Sequence, residues 1–239
     1  MRRLLAACVE LLLPRACARC GGACERDAFC APCAAAIARL PRAGCPICQA
    51  PFASRGGSRC GACARERTPL AQIAAEAPFD GEVATWVHRF KYPAPGFAGL
   101  DPRPAAALAA LLCDAARRLE GAPPSLVVPV PIHRAKRRTR GFHPAGELAR
   151  ALVRSLDRAL AADALVATRA TASQTGLDRP ARRRNVRGAF AIGAPIPRGA
   201  SIAVVDDVVT TGATLAECAR VLRRAGAGRV VAVCAARTL

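Results

Sequence analysis

Four CxxC pairs crowd into the segment between Cys17 and Cys63: Cys17/Cys20, Cys30/Cys33, Cys45/Cys48 and Cys60/Cys63. With Cys24 they make up nine of the 13 cysteines in the 239-residue chain. Nine residues separate the pairs of the first unit and 11 those of the second, so the segment reads as an internal repeat of two CxxC…CxxC units. Each CxxC bends into a knuckle that presents two thiolates, and two knuckles supply the four sulfurs of a tetrahedral zinc site. Gly21-Gly22, Gly44 and Gly56-Gly57 suit the turns around such knuckles. So few large apolar side chains lie here that the segment cannot fold on its own core, and a bound metal would supply the folding energy. The expectation is structural zinc, one or two ions. Iron-sulfur or thiol redox chemistry stays open on ligand type alone, and the spacing does not fix which knuckle pairs with which. Cys24 falls outside the pattern and reads as a spare buried thiol.

Many cysteines would mean disulfides in a secreted chain. Met1-Arg2-Arg3 followed by residues 4–13 superficially resembles a secretory leader. The apolar stretch before Cys8 is too short for one, and Glu10 and Pro14 interrupt the residues after it. Leu4, Leu5, Cys8, Leu11 and Leu12 instead repeat at helical spacing. Charged residues or prolines break every apolar run well below the roughly 20 residues a membrane-spanning helix needs. We expect a cytoplasmic protein without a membrane span.

Lys and Arg number 36 against 17 Asp and Glu, a formal net charge of +19. Such a field attracts phosphate-bearing partners. Only Lys91 and Lys136 are lysines, so a compositional bias toward arginine is the competing explanation. Two clusters stand out, five basic residues within 134–140 and five within 179–187. Both would concentrate an anion, whether pyrophosphate or nucleic acid, unless they are merely solvated. Little aromatic interleaving argues against single-strand binding through base stacking.

Beyond Cys63 the composition changes. Residues 64–80 lead into a short helical or strand segment at 83–90, and residues 93–104, with four prolines, read as loop. Strands are expected at 126–131, 165–167, 201–205 and 229–235, and helices at 104–119, 145–160 and 214–225. The runs at 201–205 and 229–235 are continuously apolar, as strands buried on both faces are. Strands alternating with helices imply a parallel α/β sheet.

The sharpest signal is the stretch 201–215, SIAVVDDVVTTGATL. A buried strand ends in Asp206 and Asp207, passes through a turn of small residues and enters a helix. Ligands of open α/β sheets bind beyond the carboxyl ends of the strands, and carboxylates there accept hydrogen bonds from sugar hydroxyls. Thr210, Thr211, Gly212, Ala213 and Thr214 offer hydroxyls, backbone N–H groups and a helix N-terminus to a phosphate. The turn is neither a Walker loop nor GxGxxG. A ribose phosphate fits the combination.

VVDDVVTTGAT resembles the 5-phosphoribosyl-1-pyrophosphate (PRPP) signature of type I phosphoribosyltransferases. With the CxxC repeats, HRFKY at 88–92, VPVPIH at 128–133, RGF at 140–142 and the stretch 171–190, the chain resembles the ComF/GntX family of competence-protein-F-like proteins. The resemblance runs from Cys17 to Leu239. It implies a type I phosphoribosyltransferase-like parallel sheet flanked by helices over residues 71–239, and an N-terminal helix with a double zinc ribbon over 1–70. It implies that Asp206 and Asp207 hold the ribose 2′ and 3′ hydroxyls, and that residues 210–214 hold the 5′-phosphate. Lys136 and Arg140 would face pyrophosphate, with Asp206, Asp207 and Arg140 as the catalytic set and magnesium bridging the pyrophosphate. Gln174, Arg183 and Asn185 fall in the part that resembles the mobile active-site loop. Where the family continues RGF with Asn-Gln, this chain has His143-Pro144; Pro is compatible with a first helical position. The implied activity is phosphoribosyl transfer with release of pyrophosphate, in the service of DNA uptake. The alternative is a non-catalytic nucleic-acid-binding or adaptor protein of the competence machinery, its zinc module docking a protein partner and single-stranded DNA a further ligand.

Overall fold

The computed structural model describes residues 15–24, 28–51, 59–65, 68–93, 101–171 and 178–239. The helix expected at the N-terminus, Gly56-Gly57 and Gln174 lie outside them. The cysteine segment contributes β1 (Arg15–Ala16), β2 (Ala23–Cys24), α1 (Ala31–Ala36) and α2 (Gly61–Arg65). There follow β3 (Gln72–Pro78), α3 (Gly81–Lys91), α4 (Arg103–Ala116), β4 (Leu126–Pro129), α5 (Arg134–Arg140), α6 (Pro144–Leu156), β5 (Ala159–Leu160) and β6 (Leu165–Ala167). The chain closes with α7 (Arg179–Val186), β7 (Phe190–Ile192), β8 (Ser201–Val209), α8 (Ala213–Arg224) and β9 (Arg229–Arg237).

The two continuous apolar runs become β8 and β9, the inner strands of a five-stranded parallel sheet of order β3-β9-β8-β4-β5. Their alternate residues feed two separate cores, as the two-residue period of a strand requires. Ala203, Val205, Val231 and Val233 meet Leu108, Leu111, Leu148 and Leu152 of α4 and α6 on one face. Ile202, Val204, Val230 and Ala232 meet Leu215, Cys218 and Leu222 of α8 on the other. With so few aromatics, the cores are filled by Leu, Val and Ala. β6 and β7 form a separate antiparallel pair over the α8 face.

Several expectations shift. Residues 72–78 form a fully buried strand; its alanines, interrupted by Glu76 and joined by a single β-branched residue, Ile73, do not stand out. Residues 83–90 are helical. The two basic stretches are helices α5 and α7, the latter within the part that resembles a mobile loop. Side chains cap both at their first turns: His133 Nδ1 accepts from Ala135 N–H and Asp178 Oδ1 from Ala181 N–H. The helix expected at 145–160 stops at Leu156, where Asp157 takes a left-handed turn into β5.

β3 is an edge strand, and an open edge presents unpaired N–H and C=O groups. Here the cysteine segment covers it. Leu40 N–H donates to Glu76 O, Ile73 N–H to Ile47 O, and Ala75 N–H to the Gln49 side chain. Beneath this seam Arg118, 9% exposed, donates from Nε to Glu76 Oε2 at 2.5 Å and from its other nitrogens to the Leu40 and Pro41 carbonyls. Arg39 reaches the same Glu76 and also Asp114. Each cysteine unit then packs on a different face of the sheet. Cys17, Cys33 and Phe29 join the α3/α4 core, where Phe29 stacks on Trp86, and Cys45, Cys48 and Leu40 join the α8 core.

Removing one member of a buried ion pair is costly because the other is left unpaired. Arg118→Met should therefore lower unfolding stability by about 3 kcal/mol, read from the urea midpoint at constant slope. A change below about 1 kcal/mol would mean that metal sites and apolar contacts alone hold the cysteine segment.

Candidate functional site

The doublet Asp206-Asp207 owes its position to a mismatch in strand length. β4 pairs with β8 only as far as Pro129↔Val205, with a last bond from Val130 N–H to Val205 O. On the other side β9 follows β8 to Val209↔Arg237. The strand therefore does not end at the acids, as expected from the sequence; it runs past them, with one side open. On that side the carboxylates fold back on their own strand, Asp206 Oδ1 accepting from Asp207 N–H and Asp207 Oδ1 from Val208 N–H, each at 3.0 Å.

The two acids are not equivalent. Asp207 is 3% exposed, and its Oδ2 lies 2.5 Å from Lys91 Nζ at the last residue of α3. Burial alone would lower the Lys91 ammonium, but the charges of Asp207 and then Asp206 outweigh it and hold Lys91 above its ordinary value. Asp206 is half-buried. Burial, then the neighbouring Asp207 charge, push its carboxyl up to about 8 against the pull of Lys91. An acid with so strong a hold on its proton is short of positive charge or of hydrogen-bond donors.

Beyond Val209 the chain turns through Thr210 and Thr211 to Gly212, whose φ of 76° is left-handed and open to glycine without strain. Gly212 caps α8, and Thr211 Oγ1 accepts from Ala213 N–H at 3.3 Å. Thr214 lies in the first turn of α8. The first N–H groups of a 12-residue helix thus face the turn with their dipole.

Arg140 closes α5 and reaches back to α3. Its Nη2 donates to Tyr92 Oη at 3.2 Å, and its guanidinium lies 5.0 Å from the Tyr92 ring centroid. Phe142 packs edge-on against Phe90. The HRFKY and RGF stretches therefore meet beside Lys91. Lys136 is exposed on α5, one helical turn before Arg140 and so on the same face. His143 Nε2 lies 2.8 Å from the Val130 carbonyl, and burial pulls the imidazole below its ordinary value. A neutral ring donating to that carbonyl ties the entry of α6 to the end of β4, and Pro144 occupies the first helical position as expected. Arg183 and Asn185 lie on α7.

A phosphoribosyl transferase domain model matches residues 138–238. DNA utilization protein YhgH of Escherichia coli O157:H7 is 34% identical over 215 residues, which cover 88% of this chain and 91% of that protein. The chain belongs to the ComF family. Competence protein F of Haemophilus influenzae is 28% identical over 172 residues, 70% of this chain and 73% of its own. An orotate phosphoribosyltransferase of Phenylobacterium zucineum shares 43% identity over 58 residues, 24% of this chain and 28% of that protein.

In the N-terminal part of this ComF-family chain the knuckles pair in sequence. Cys17, Cys20, Cys30 and Cys33 form one cluster, and Cys45, Cys48, Cys60 and Cys63 the other, with the sulfurs of each within 4.8 Å of one another. The repeat extends to the backbone. Cys17 and Cys45 each donate to the carbonyl five residues on, and each accepts from the N–H four residues on. Gly44 is required at the second knuckle, since a Cβ there would lie 2.8 Å from Ala50 O.

A zinc ion about 2.3 Å from four sulfurs sets tetrahedral edges of about 3.8 Å. Cys20–Cys30 measures 3.8 Å and Cys48–Cys60 3.6 Å. N–H groups of Gly22 and Cys30 already point at the Cys20 and Cys17 sulfurs. Despite burial, such backbone donors hold Cys17 down at about 5 and Cys45 at about 6. The hydrogen bond to Cys30, with burial, pushes Cys33 up to about 12, and burial raises Cys63. Each cluster thus has one thiol drawn toward ionisation, and both clusters fit a double zinc ribbon.

Lys91 is the site residue that motif reading passes over. HRFKY stands out as a stretch, but which of its residues reaches the doublet depends on how α3 lies against the sheet.

The folded chain binds the Asp206 proton more tightly than the unfolded chain, whose carboxyl titrates near 3.8. Unliganded stability should therefore fall as pH rises from about 4 to about 8 and level off above. Asp206→Asn should flatten that slope and raise Tm at pH 8 by a few degrees, measured by calorimetry; an unchanged slope would place the burden elsewhere. Protein purified under reduction should carry two zinc equivalents per chain by elemental analysis, and chelation should lower Tm steeply. Fewer than one equivalent would contradict the ribbon assignment.

Proposed function

We propose that this ComF-family protein binds PRPP with magnesium at the open end of β8 and transfers the phosphoribosyl group, releasing pyrophosphate. The observation that carries the reading is the juxtaposition of the charge-starved Asp206, the Lys91–Asp207 pair and the glycine-capped threonine turn at one sheet end. Asp206 accepts hydrogen bonds from the ribose hydroxyls. Asp207 acts through Lys91, which it orients and keeps charged. Thr210, Thr211 and the N–H groups from Gly212 onward hold the 5′-phosphate. Arg140, with Lys136 on the same face, meets the pyrophosphate.

A hard cation suits a site built of carboxylate and phosphate oxygens, and Asp206 is a carboxylate in want of one. Magnesium, when bound, neutralises the pyrophosphate charge. The C1–oxygen bond to pyrophosphate breaks through an oxocarbenium-like state, and an acceptor nucleophile takes its place. Positioning and charge neutralisation supply the acceleration.

The names of the relatives support a role in DNA uptake and use. A second reading, in which the protein binds nucleic acid without catalysis, draws on α5, a helix with five basic residues and no buried ones. Its affinity for DNA would then fall steeply with salt.

Calorimetry with PRPP and magnesium tests the first reading. The wild type should bind, and Asp206→Ala/Asp207→Ala should bind at least about tenfold more weakly, about 1.4 kcal/mol. Pyrophosphate release on adding candidate acceptors would establish turnover. Equal PRPP affinity in wild type and variant would remove the site assignment.

A further inference from the structure

Helix α3 runs from the first cysteine unit to the acidic doublet. Near its start Arg19 Nε donates to Glu82 Oε2 at 2.8 Å, and Phe29 stacks on Trp86 with 5.7 Å between ring centroids and 25° between planes. At its last residue Lys91 Nζ lies 2.5 Å from Asp207 Oδ2. Residues four apart share a face of a helix, so Glu82, Trp86 and Phe90 form one stripe and Val83, Val87 and Lys91 the next. The cysteine unit grips the first stripe. The second is buried at Val83 and Val87 and ends at the doublet. A rigid helix carries any roll or shift at Trp86 to Lys91, about 7.5 Å further along the axis.

The helix does not secure its own entry. Asp80 at the N-cap makes no side-chain capping bond, and Gly81 enters at a left-handed φ of 45° with open space where a Cβ would stand. Without a cap to fix the entry, the direction of α3 depends on its side contacts. The Arg19–Glu82 pair is partly exposed and is worth little alone. The stack is buried, with Phe29 6% and Trp86 7% exposed, and carries most of the constraint. Phe29 directly precedes Cys30, whose N–H points at Cys17 Sγ, so its ring is seated by the first cluster. The second unit is placed differently: Cys45 and Cys48 enter the α8 core, whereas the buried residues of α3 all belong to the α4 core.

We propose that the first cysteine unit is a positioning element of the sugar-phosphate site: through Phe29 on Trp86 and Arg19 on Glu82 it seats α3 and so holds Lys91 on Asp207. Trp86 and Glu82 are positioning residues that act through Lys91. The inference rests on the phosphoribosyl reading for its functional meaning, and it gives the two clusters separate roles. Loss of the first loosens the site through α3, and loss of the second does not.

Lys91 and Lys136 are the only lysines of the chain, which makes the seat of Lys91 directly readable. Full-length metal-loaded protein should be treated briefly with acetic anhydride and digested, and acetylation at the two lysines compared by mass spectrometry. In the wild type the ion-paired Lys91 should label more slowly than the exposed Lys136; equal labelling overturns the proposal. Phe29→Ala should raise the Lys91-to-Lys136 ratio at least about threefold, as the loss of one aromatic stack implies. Leu222→Ala, a truncation in the α8 core of comparable cost to stability, should leave the ratio unchanged. If melting or metal content shows that Phe29→Ala does not fold, Phe29→Leu/Glu82→Ala keeps an apolar side chain under Trp86 and decides on the same ratio. A folded, metal-loaded variant with the wild-type ratio overturns the proposal, as does an equal rise in Leu222→Ala, which would mean general loosening. PRPP affinity by calorimetry should fall with the rise in labelling, and a raised ratio with unaltered PRPP affinity overturns the link to the site. If the wild type binds no PRPP, the phosphoribosyl reading falls, while the labelling ratio still decides whether the cysteine unit seats Lys91.

Discussion

The buried Glu76–Arg118 ion pair is the joint on which the rest of the molecule rests. A parallel sheet needs both faces and both edges covered. Helices cover the faces, but β3 leaves a backbone edge that no helix can satisfy. The cysteine segment satisfies it, donating from Leu40, accepting at Ile47, and sending the Gln49 side chain to Ala75. Arg118 fastens that seam by binding Glu76 in the strand and the Leu40 and Pro41 carbonyls in the segment at once. The segment lacks the apolar area to fold alone, and the strand lacks a partner. The two cysteine clusters, which fit a metal, shape the first, and the ion pair fixes it to the second. The cysteine segment is thus an integral layer of the fold, one cluster packed against each face of the sheet.

The site follows from the same sheet by subtraction. Where β4 departs at Pro129, β8 continues with only β9 beside it, and the acids and the turn stand on that unpaired stretch of the strand. Burial that would be neutral for an apolar pair here raises the proton affinity of Asp206 and draws Lys91 onto Asp207. The unliganded site is held at a cost in stability that a cation and a polyol would relieve. This is the ordinary relation between a preformed electrostatic site and the chain that supports it.

Features written in contiguous residues are legible from the amino-acid sequence. The four CxxC pairs, the apolar runs at 201–205 and 229–235, and the turn from Thr210 to Thr214 each carry their meaning within a few positions, because metal spacing, strand burial and phosphate binding are local demands. Features that depend on a partner distant along the chain stay hidden. β3 reads as an unremarkable alanine stretch because its strand character comes from pairing with β9 and the cysteine segment. The helices α5 and α7 hide behind their arginines, since a solvated helix has no apolar stripe to betray it. Lys91 lies over a hundred residues from Asp207, and only the docking of α3 brings them together. The sequential pairing of the knuckles likewise rests on geometry, because spacing permits either arrangement.

Arginine content shows where a count stops being informative. A net charge of +19 has the same value whether the guanidinium groups face water or each other. The structure separates them by their surroundings. Arg118 is buried and fully paired, so its charge is a structural matter. Arg134, Arg137 and Arg138 of α5 face solvent, where a bias of composition suffices to explain them. Arg140 is held by Tyr92 at the mouth of the site, where its charge adds to that of Lys91. Arg237 is buried beside the second cysteine cluster with Nε unmet, and the nearby Cys48 thiol is eased toward ionisation by that charge although burial wins. Four thiolates around a divalent ion would carry net negative charge, so a metal-loaded second cluster would set an anionic centre beside Arg237. Selection on solvent-facing arginines needs only solubility; a buried arginine in that place needs a neighbour of opposite charge.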